Sequence, residues 1–577
     1  MVPALPGERF IVWQLSMTNP KTKTPDVCEA NANSGLVTRA SGPMAALFAG
    51  LFGAFLGLGL LKFGDPVLAE KWPQMNLPGL MAESGESAPR NIYEFLLSPN
   101  WPMVWGYFGL VGVSVIAIAS VAWGRRGSGV KGQVPSVKGH VPSVKRQVSS
   151  VRSRGSGVNW VAALPLAWLV WEVVAGSRTV DRGLTEATLA HFSATVVCFY
   201  LGFFCLSRVN STGLFWSGIF CGFMLMLAVG VDQHFGGLER FRRFFFHQQE
   251  LYGHGQEIPA NLLKKINSNR IYGTLFYPNA LAGALLLLLP GLLAWLPRIR
   301  AVPLSGMRER PTPIHLPEPS LSSRWPQLFS LILVLAAAAW LYLATDSKVS
   351  LVWLLITGFA IVAGAPAWFV ASLLSAVSLA CLIWSGSKGG WLLMLLLGLV
   401  ALLQLRFSKS YKIAVVAVVL ALGLAGFFLK YASFFHKGAT SVVARFDYWR
   451  AAVQTATTHP LLGTGPGTFF IAYQNIKKPE SEPARLAHND YLEQVSDSGL
   501  PGLFLYAGLI FGGLFCARPR TLDKDVHPNG AYRHHFAIWL GVLGWALQGL
   551  FEFGLYIPAL AWPAFALLGW LLGKRES

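Results

Sequence analysis

Apolar stretches of about twenty residues recur along most of this chain, and they constrain it more than any other feature. A helix crosses a hydrocarbon core with roughly 20 such residues, because it satisfies its own backbone polar groups where no water can. The stretches lie near 44–63, 103–124, 159–176, 189–207, 213–231, 277–297, 327–345, 349–364, 367–385, 389–406, 412–430, 499–516, 534–551 and 555–573. The run 349–385 is too long for one pass, and Gly364-Ala365-Pro366 divides it. Only 13% of residues are charged and 53% are hydrophobic, against about 25% charged in a soluble domain. A water-soluble enzyme is excluded, and the fold class is an all-α polytopic membrane protein of about 12–14 transmembrane helices. The six cysteines build no disulfide framework; Cys198, Cys205, Cys221, Cys381 and Cys516 fall in or beside apolar runs as small hydrophobes.

Charge assigns the sides. Lysine and arginine number 47 against 28 acidic residues, and in a membrane protein such an excess collects on the cytoplasmic side. The 125–158 stretch carries Arg125, Arg126, Lys131, Lys138, Lys145, Arg146, Arg152 and Arg154 with no acid. Its near-repeats GQVPSVK, GHVPSVK and RQVSSVR have no apolar face, so it reads as a basic cytoplasmic linker beside anionic lipid rather than a nucleic-acid binder. Counting spans from there also places the basic loops 298–326, 406–412 and 517–533 inside. The reading divides the chain into a cytoplasmic tail (1–43), a first pair of spans (44–124) with outer loop 63–102, and the linker (125–158). A core (159–430) with outer loop 232–276, a large outer loop (431–498) and the last spans (499–577) follow. No cleavable signal is expected, so the first span directs targeting.

With that topology the polar chemistry collects on the outer face, where an enzyme acting on a lipid-borne headgroup would carry it. The 232–276 loop ends with Arg270 and leads into Pro278-Asn279. Ser385-Gly386-Ser387-Lys388 separates two spans, and Glu552 sits in the turn between the last two. In the 431–498 loop, Phe446, Trp449, Ala452, Val453 and Ala456 recur at helical spacing, predicting a helix over Thr440–Thr458 with those residues as its apolar face. Arg445 and Arg450 cannot share one face of that helix well, so at least one is solvated. Gly463-Thr464-Gly465-Pro466-Gly467 lacks the dinucleotide-binding spacing; it is either an anion nest of backbone N–H groups or a tight turn. His488, beside Asn489, Asp490, Tyr491 and Glu493, is a candidate proton acceptor. Glu172 is a further acid at a span end, open to pairing with an arginine. The basic-aromatic run Arg240-Phe241-Arg242-Arg243-Phe244-Phe245-Phe246-His247 suits a helix at headgroup level.

Five motifs occur in order on that face: R-x-x-G-T-x-x-x-P-N-x-L-A from Arg270, S-x-S-K-G-G-W from Ser385, R-x-x-x-W from Arg445, G-x-G-x-G-x-F from Gly463 and H-N-x-Y-L from His488. Together they resemble the O-antigen ligase/polymerase superfamily of bacterial envelope proteins, over about 190–570 of the chain. The resemblance implies a GT-C-like glycosyltransferase in the bacterial inner membrane, with cytoplasmic termini and a periplasmic active site serving lipopolysaccharide biosynthesis. It implies an undecaprenyl-diphosphate-linked glycan as donor and a sugar hydroxyl on lipid A core or another glycan as acceptor. Membrane lipids are the other partners, and no cofactor, metal or nucleic acid is implied. Arg270 and Arg445 become diphosphate binders and His488 the general base, with Asn489, Asp490, Tyr491, Glu552, Asn279, Ser387 and Gly465 in support. Lys388 stands where the family commonly has arginine; it keeps the charge without the bidentate fork, so diphosphate binding and snorkelling to the interface both stay open for it.

Ligase, polymerase and protein O-oligosaccharyltransferase share this framework and differ in acceptor. One dominant histidine-bearing outer loop favours the ligase type. A lipid-glycan transporter would instead line its bundle with charge through the full depth.

Overall fold

The computed structural model describes residues 43–68, 101–127, 159–252, 260–275, 277–300, 367–404, 408–436, 440–478, 483–519 and 531–576, with Ile258 and Ser481. The expected spans 327–345 and 349–364, the linker 128–158 and most of the first outer loop lie outside these residues. Every described element is a helix. In order they are α1 (Pro43–Lys62), α2 (Met103–Gly127), α3 (Asn159–Gly176), α4 (Arg182–Tyr200), α5 (Gly213–Asp232), α6 (Leu238–Tyr252), α7 (Ala260–Ile266) and α8 (Pro278–Arg300). There follow α9 (Ala367–Ser385), α10 (Lys388–Gln404), α11 (Lys409–His436), α12 (Thr440–Thr458), α13 (Phe469–Ile476), α14 (Asp490–Ala507), α15 (Ala531–Gln548) and α16 (Pro558–Glu576). Eight described helices are long and apolar enough to cross a membrane, so the chain is an all-α polytopic membrane protein.

Which helices are central follows from their sequences. α5 is apolar all round, and nearly every residue from Phe215 to Asp232 is buried, as expected of a helix surrounded by others. α8 does the same with its run Leu285–Leu289. By contrast α2, α3 and α11 expose Phe108, Ile118, Trp160, Ile413 and Leu422, all more than half accessible. Lipid tails are as apolar as these side chains, so exposure there costs little.

In lipid, small residues let backbones meet closely. Gly53 and Gly57 of α1 face Gly218 and Gly222 of α5: a Cβ at Gly53 would lie 2.0 Å from the Phe215 carbonyl, and one at Gly222 2.2 Å from that of Gly57. The first helix is therefore packed into the core, although it stands outside the stretch carrying the family motifs.

Helix α14 enters the membrane region earlier than the apolar run 499–516 predicts. It starts at Asp490, capped by the Asn489 side chain, which accepts from the N–H groups of Tyr491 and Leu492 at 3.0 Å each. Its first two turns are polar yet buried, because Glu493, Gln494, Asp497 and Ser498 find partners inside the protein. Gly499, at φ +73°, then bends the helix, and a Cβ there would lie 2.2 Å from the Leu461 carbonyl.

Candidate active site

The site forms at one end of the bundle, where the segment before α8, the α9–α10 turn, α12, the residues before α14 and the α15–α16 turn come together. Its centre is Glu552, a buried carboxylate in the last of these. The residues beside His488 hold that turn. Asp490 N–H donates to the Gly549 carbonyl at 2.8 Å, and the Asn489 amide donates to that of Leu550 at 2.8 Å. The Asp490 carboxylate accepts from Leu555 N–H, and the Tyr491 hydroxyl donates to the Ala546 carbonyl at 3.0 Å. Asn489, Asp490 and Tyr491 thus position the turn that presents Glu552, rather than pointing into the site themselves.

Four side chains converge on Glu552. Arg445 donates to Oε1 at 2.5 Å, and Asn279 donates to the same oxygen at 2.6 Å. The Tyr277 hydroxyl donates to Oε2 at 2.7 Å. His488 Nδ1 lies 3.5 Å from Oε2, a charge contact longer than a well-formed hydrogen bond. Asn279 extends the network, because its Oδ1 accepts from Arg270 at 3.0 Å while Arg270 Nε reaches the Ser385 carbonyl at 2.7 Å. Burial alone would raise the Glu552 carboxyl, but the contact with His488 and the Arg445 guanidinium outweigh it and hold it below its ordinary value.

Among the described residues, His488 is the one non-glycine with positive φ, at +51°. Such backbone is uncommon outside glycine and costs free energy that the surroundings must offset. Here they do: Ala487 N–H is held by the Glu493 carboxylate, and Asn489 is fixed as a helix cap. The imidazole lies between Tyr448, stacked at 5.8 Å, and the edge of Phe553 at 4.8 Å. Its Nδ1 is buried toward Glu552 while the side chain as a whole keeps 28% exposure, which leaves Nε2 as the nitrogen open to a ligand.

Lys388 opens α10, within electrostatic reach of both Arg270 and Arg445. Ser387 caps that helix through its Oγ, which accepts from Gly390 N–H at 3.2 Å. Gly386, at φ +60°, makes room for Arg270, whose Nε would stand 3.2 Å from a Cβ there. Arg445 thus pairs with the carboxylate directly, Arg270 is joined to it through Asn279, and Lys388 stands near both arginines, while Arg445 Nε is buried without an acceptor among the described residues.

Other expected residues go elsewhere. Gly465 belongs to a loop whose donors are already used: Thr464 N–H reaches the Ser496 carbonyl at 3.1 Å, Gly465 N–H that of Asp497 at 2.9 Å, and Gly467 N–H the Asp497 carboxylate at 2.7 Å. The nest of N–H groups exists, but Asp497 fills it. Glu172 accepts from the Ser498 hydroxyl at 2.7 Å, not from an arginine. Helix α12 runs over the predicted residues, and its buried face is rotated only in part from the predicted one: Ala452 and Ala456 are buried and Trp449 partly so, but Phe446 and Val453 are 59% and 49% exposed while Tyr448, Ala451 and Thr455 are buried. That rotation turns Arg445 inward and leaves Arg450 exposed. Tyr277, Tyr448 and Phe553 were not singled out from sequence. Tyr277 and Tyr448 lie within motifs and Phe553 follows Glu552, and only the fold shows that they flank Glu552 and His488. Among the described residues, no group of three or more His, Cys, Asp or Glu is arranged to hold a metal ion.

Residues 373–507 match the family model described as O-antigen ligase. No curated protein matches the chain in a sequence comparison. The matched stretch contains Lys388, Arg445 and His488, and the fold joins them to Arg270 and Glu552 outside it; the match over 373–507 supports the O-antigen ligase/polymerase superfamily.

Proposed function

We propose that this site transfers a glycan from undecaprenyl diphosphate to a sugar hydroxyl, of lipid A core or a similar acceptor, at the periplasmic face of a bacterial inner membrane. The observation that carries the proposal is the Glu552 carboxylate, which holds Arg445, contacts His488 and, through Asn279, orients Arg270. A diphosphate ligand needs fixed positive charge, and Arg270, Lys388 and Arg445 supply it without reorganisation at the moment of bond breaking. Arginines also offer the planar donor fork that matches phosphate oxygens.

The step follows from these placements. The acceptor oxygen attacks the anomeric carbon, and the bond from that carbon to the diphosphate oxygen breaks. Its electron pair leaves with undecaprenyl diphosphate, whose growing charge the three cations stabilise. The hydroxyl proton passes to His488 Nε2, and the Glu552 carboxylate on the Nδ1 side stabilises the imidazolium that forms. Attack opposite the leaving group inverts the anomeric centre.

The test is His488→Ala in a strain without a paralogue, with surface glycan and lipid-linked glycan measured together. Loss of surface transfer with undecaprenyl-linked glycan accumulating is the expected result; unchanged surface glycan would overturn the assignment. Mass analysis of the acceptor separates transfer to lipid A core from chain extension and from modification of serine or threonine, and NMR of the new linkage reads inversion.

A further inference from the structure

Arg270 sits on a segment of irregular backbone, yet two side chains from outside the family motifs hold that segment on either side. Gln233, just beyond α5, makes three hydrogen bonds to it. Its Oε1 accepts from the N–H groups of Tyr272 at 2.9 Å and Gly273 at 2.8 Å, and its Nε2 donates to the Gly273 carbonyl at 2.8 Å. Arg242 of α6 grips the other side. Its Nε donates to the Ile266 carbonyl at 3.0 Å, and one Nη donates to the Ser268 carbonyl at 3.0 Å and to Asn269 Oδ1 at 2.5 Å. Ile266 ends α7, so the guanidinium also meets the negative end of that helix. Its side chain is only 17% exposed.

The two clamps belong to one stretch of chain that bends at Gly236, φ +114°, between α5 and α6. Arg270 lies between them, and the next residue, Ile271, is buried with its N–H toward the Trp384 carbonyl. We propose that Gln233 and Arg242 are positioning residues that preorganise Arg270 for the donor diphosphate; this rests on the diphosphate reading of Arg270 given above. An arginine on unrestrained backbone would have to order that backbone on each binding event, and prior ordering removes the cost from the affinity. The stretch also gains a purpose that its composition alone does not give: Arg242 faces the site segment, while Phe241, Arg243 and Phe246 stay on the exposed side of α6.

The experiment measures undecaprenyl diphosphate binding to the full chain in nanodiscs, with melting temperature as the fold control. Gln233→Leu and Arg242→Ala are each expected to weaken binding about tenfold, in the range that small misplacements of a binding group cost. Arg242→Lys should not restore it, because an ammonium cannot span three acceptors as the fork does. Gln233→Glu should recover part of it, keeping the acceptor for two N–H groups. Arg242→Ala added to Arg270→Ala should cost nothing further, the non-additivity expected of residues that act through one another. Weakened binding by Arg270→Ala beside unchanged binding by Gln233→Leu and Arg242→Ala would overturn the clamp alone, as would fully additive losses. Unchanged binding by Arg270→Ala would overturn the diphosphate reading and the clamp with it. If one clamp variant fails to fold, the variants of the other decide.

Discussion

Two polar clusters lie along the residues from Arg445 to Glu552, and they are built on opposite principles. Around Asp497 the backbone supplies donors and the protein supplies the acceptor: the carboxyl group takes Gly467 N–H and the Tyr556 hydroxyl. Around Glu552 the side chains supply the donors instead: the carboxylate takes Arg445 and Asn279, Asn279 reaches Arg270, and Lys388 stands near both arginines. A glycine-rich loop and an arginine-rich pocket are both credible phosphate sites in a sequence. Only the balance of internal partners separates a filled cluster from one that can take a substrate.

If the distinction is right, variants at the two clusters should fail differently. His488→Ala should lower transfer the most, by about 10²–10⁴-fold as for loss of a general base, with an unchanged melting temperature; radiolabelled glycan transfer measures it. Arg445→Ala should follow at about 10²–10³-fold, the cost of removing a donor that meets developing charge. It should also weaken undecaprenyl diphosphate binding, which His488→Ala should leave intact. Asp497→Asn should act in the opposite sense, destabilising the fold by about 1–3 kcal/mol as the buried Gly467 N–H and Tyr556 hydroxyl lose a carboxyl acceptor, with transfer per folded molecule preserved. Denaturation and activity measured on one preparation test this, and lost donor binding at full stability would erase the comparison.

The smallest effect concerns acid. Because Glu552 is held below its ordinary value in the folded protein, its stabilising contribution is fully present above the unfolded carboxyl value of about 4.3. It is lost as pH falls through the lower folded value. Glu552→Gln should therefore remove an acid-labile part of the stability. The melting-temperature gap between the two proteins, constant near neutrality, should close only at pH below the ordinary carboxylate range.

Much of the fold was legible because lipid exposure is governed by composition: apolar runs such as 213–231 and 277–297 became helices close to where they were read. Polar burial was not legible. Asp490 and Glu493 broke the apolar run and so hid the start of α14, where Asp490 and Gln494 find partners more than sixty residues away. On α12, Phe446 and Val453 share the spacing of the buried Ala452 and Ala456 yet are exposed, and Tyr448 and Ala451 complete the buried face instead. At the site, Arg270, Arg445 and His488 could be named from motif order. The centrality of Glu552 could not, since Arg445, Asn279 and Tyr277 lie 107 to 275 residues away in sequence. Nor does any local pattern announce that His488 adopts positive φ, or that Gln233 and Arg242 hold the Arg270 segment.

The glycine contact between α1 and α5 bears on how this protein can be recombined. The two helices touch backbone to backbone, and each shape is the mould of the other. A chimaera that takes residues 159–577 from this chain and its first span from a relative would set a foreign side chain against the Phe215 or Gly218 carbonyl. Even a methyl group there would wedge α1 away from α5, whose far end runs through Gln233 toward the arginine that the donor would meet. Swaps that carry both helices as a matched pair are the ones expected to assemble.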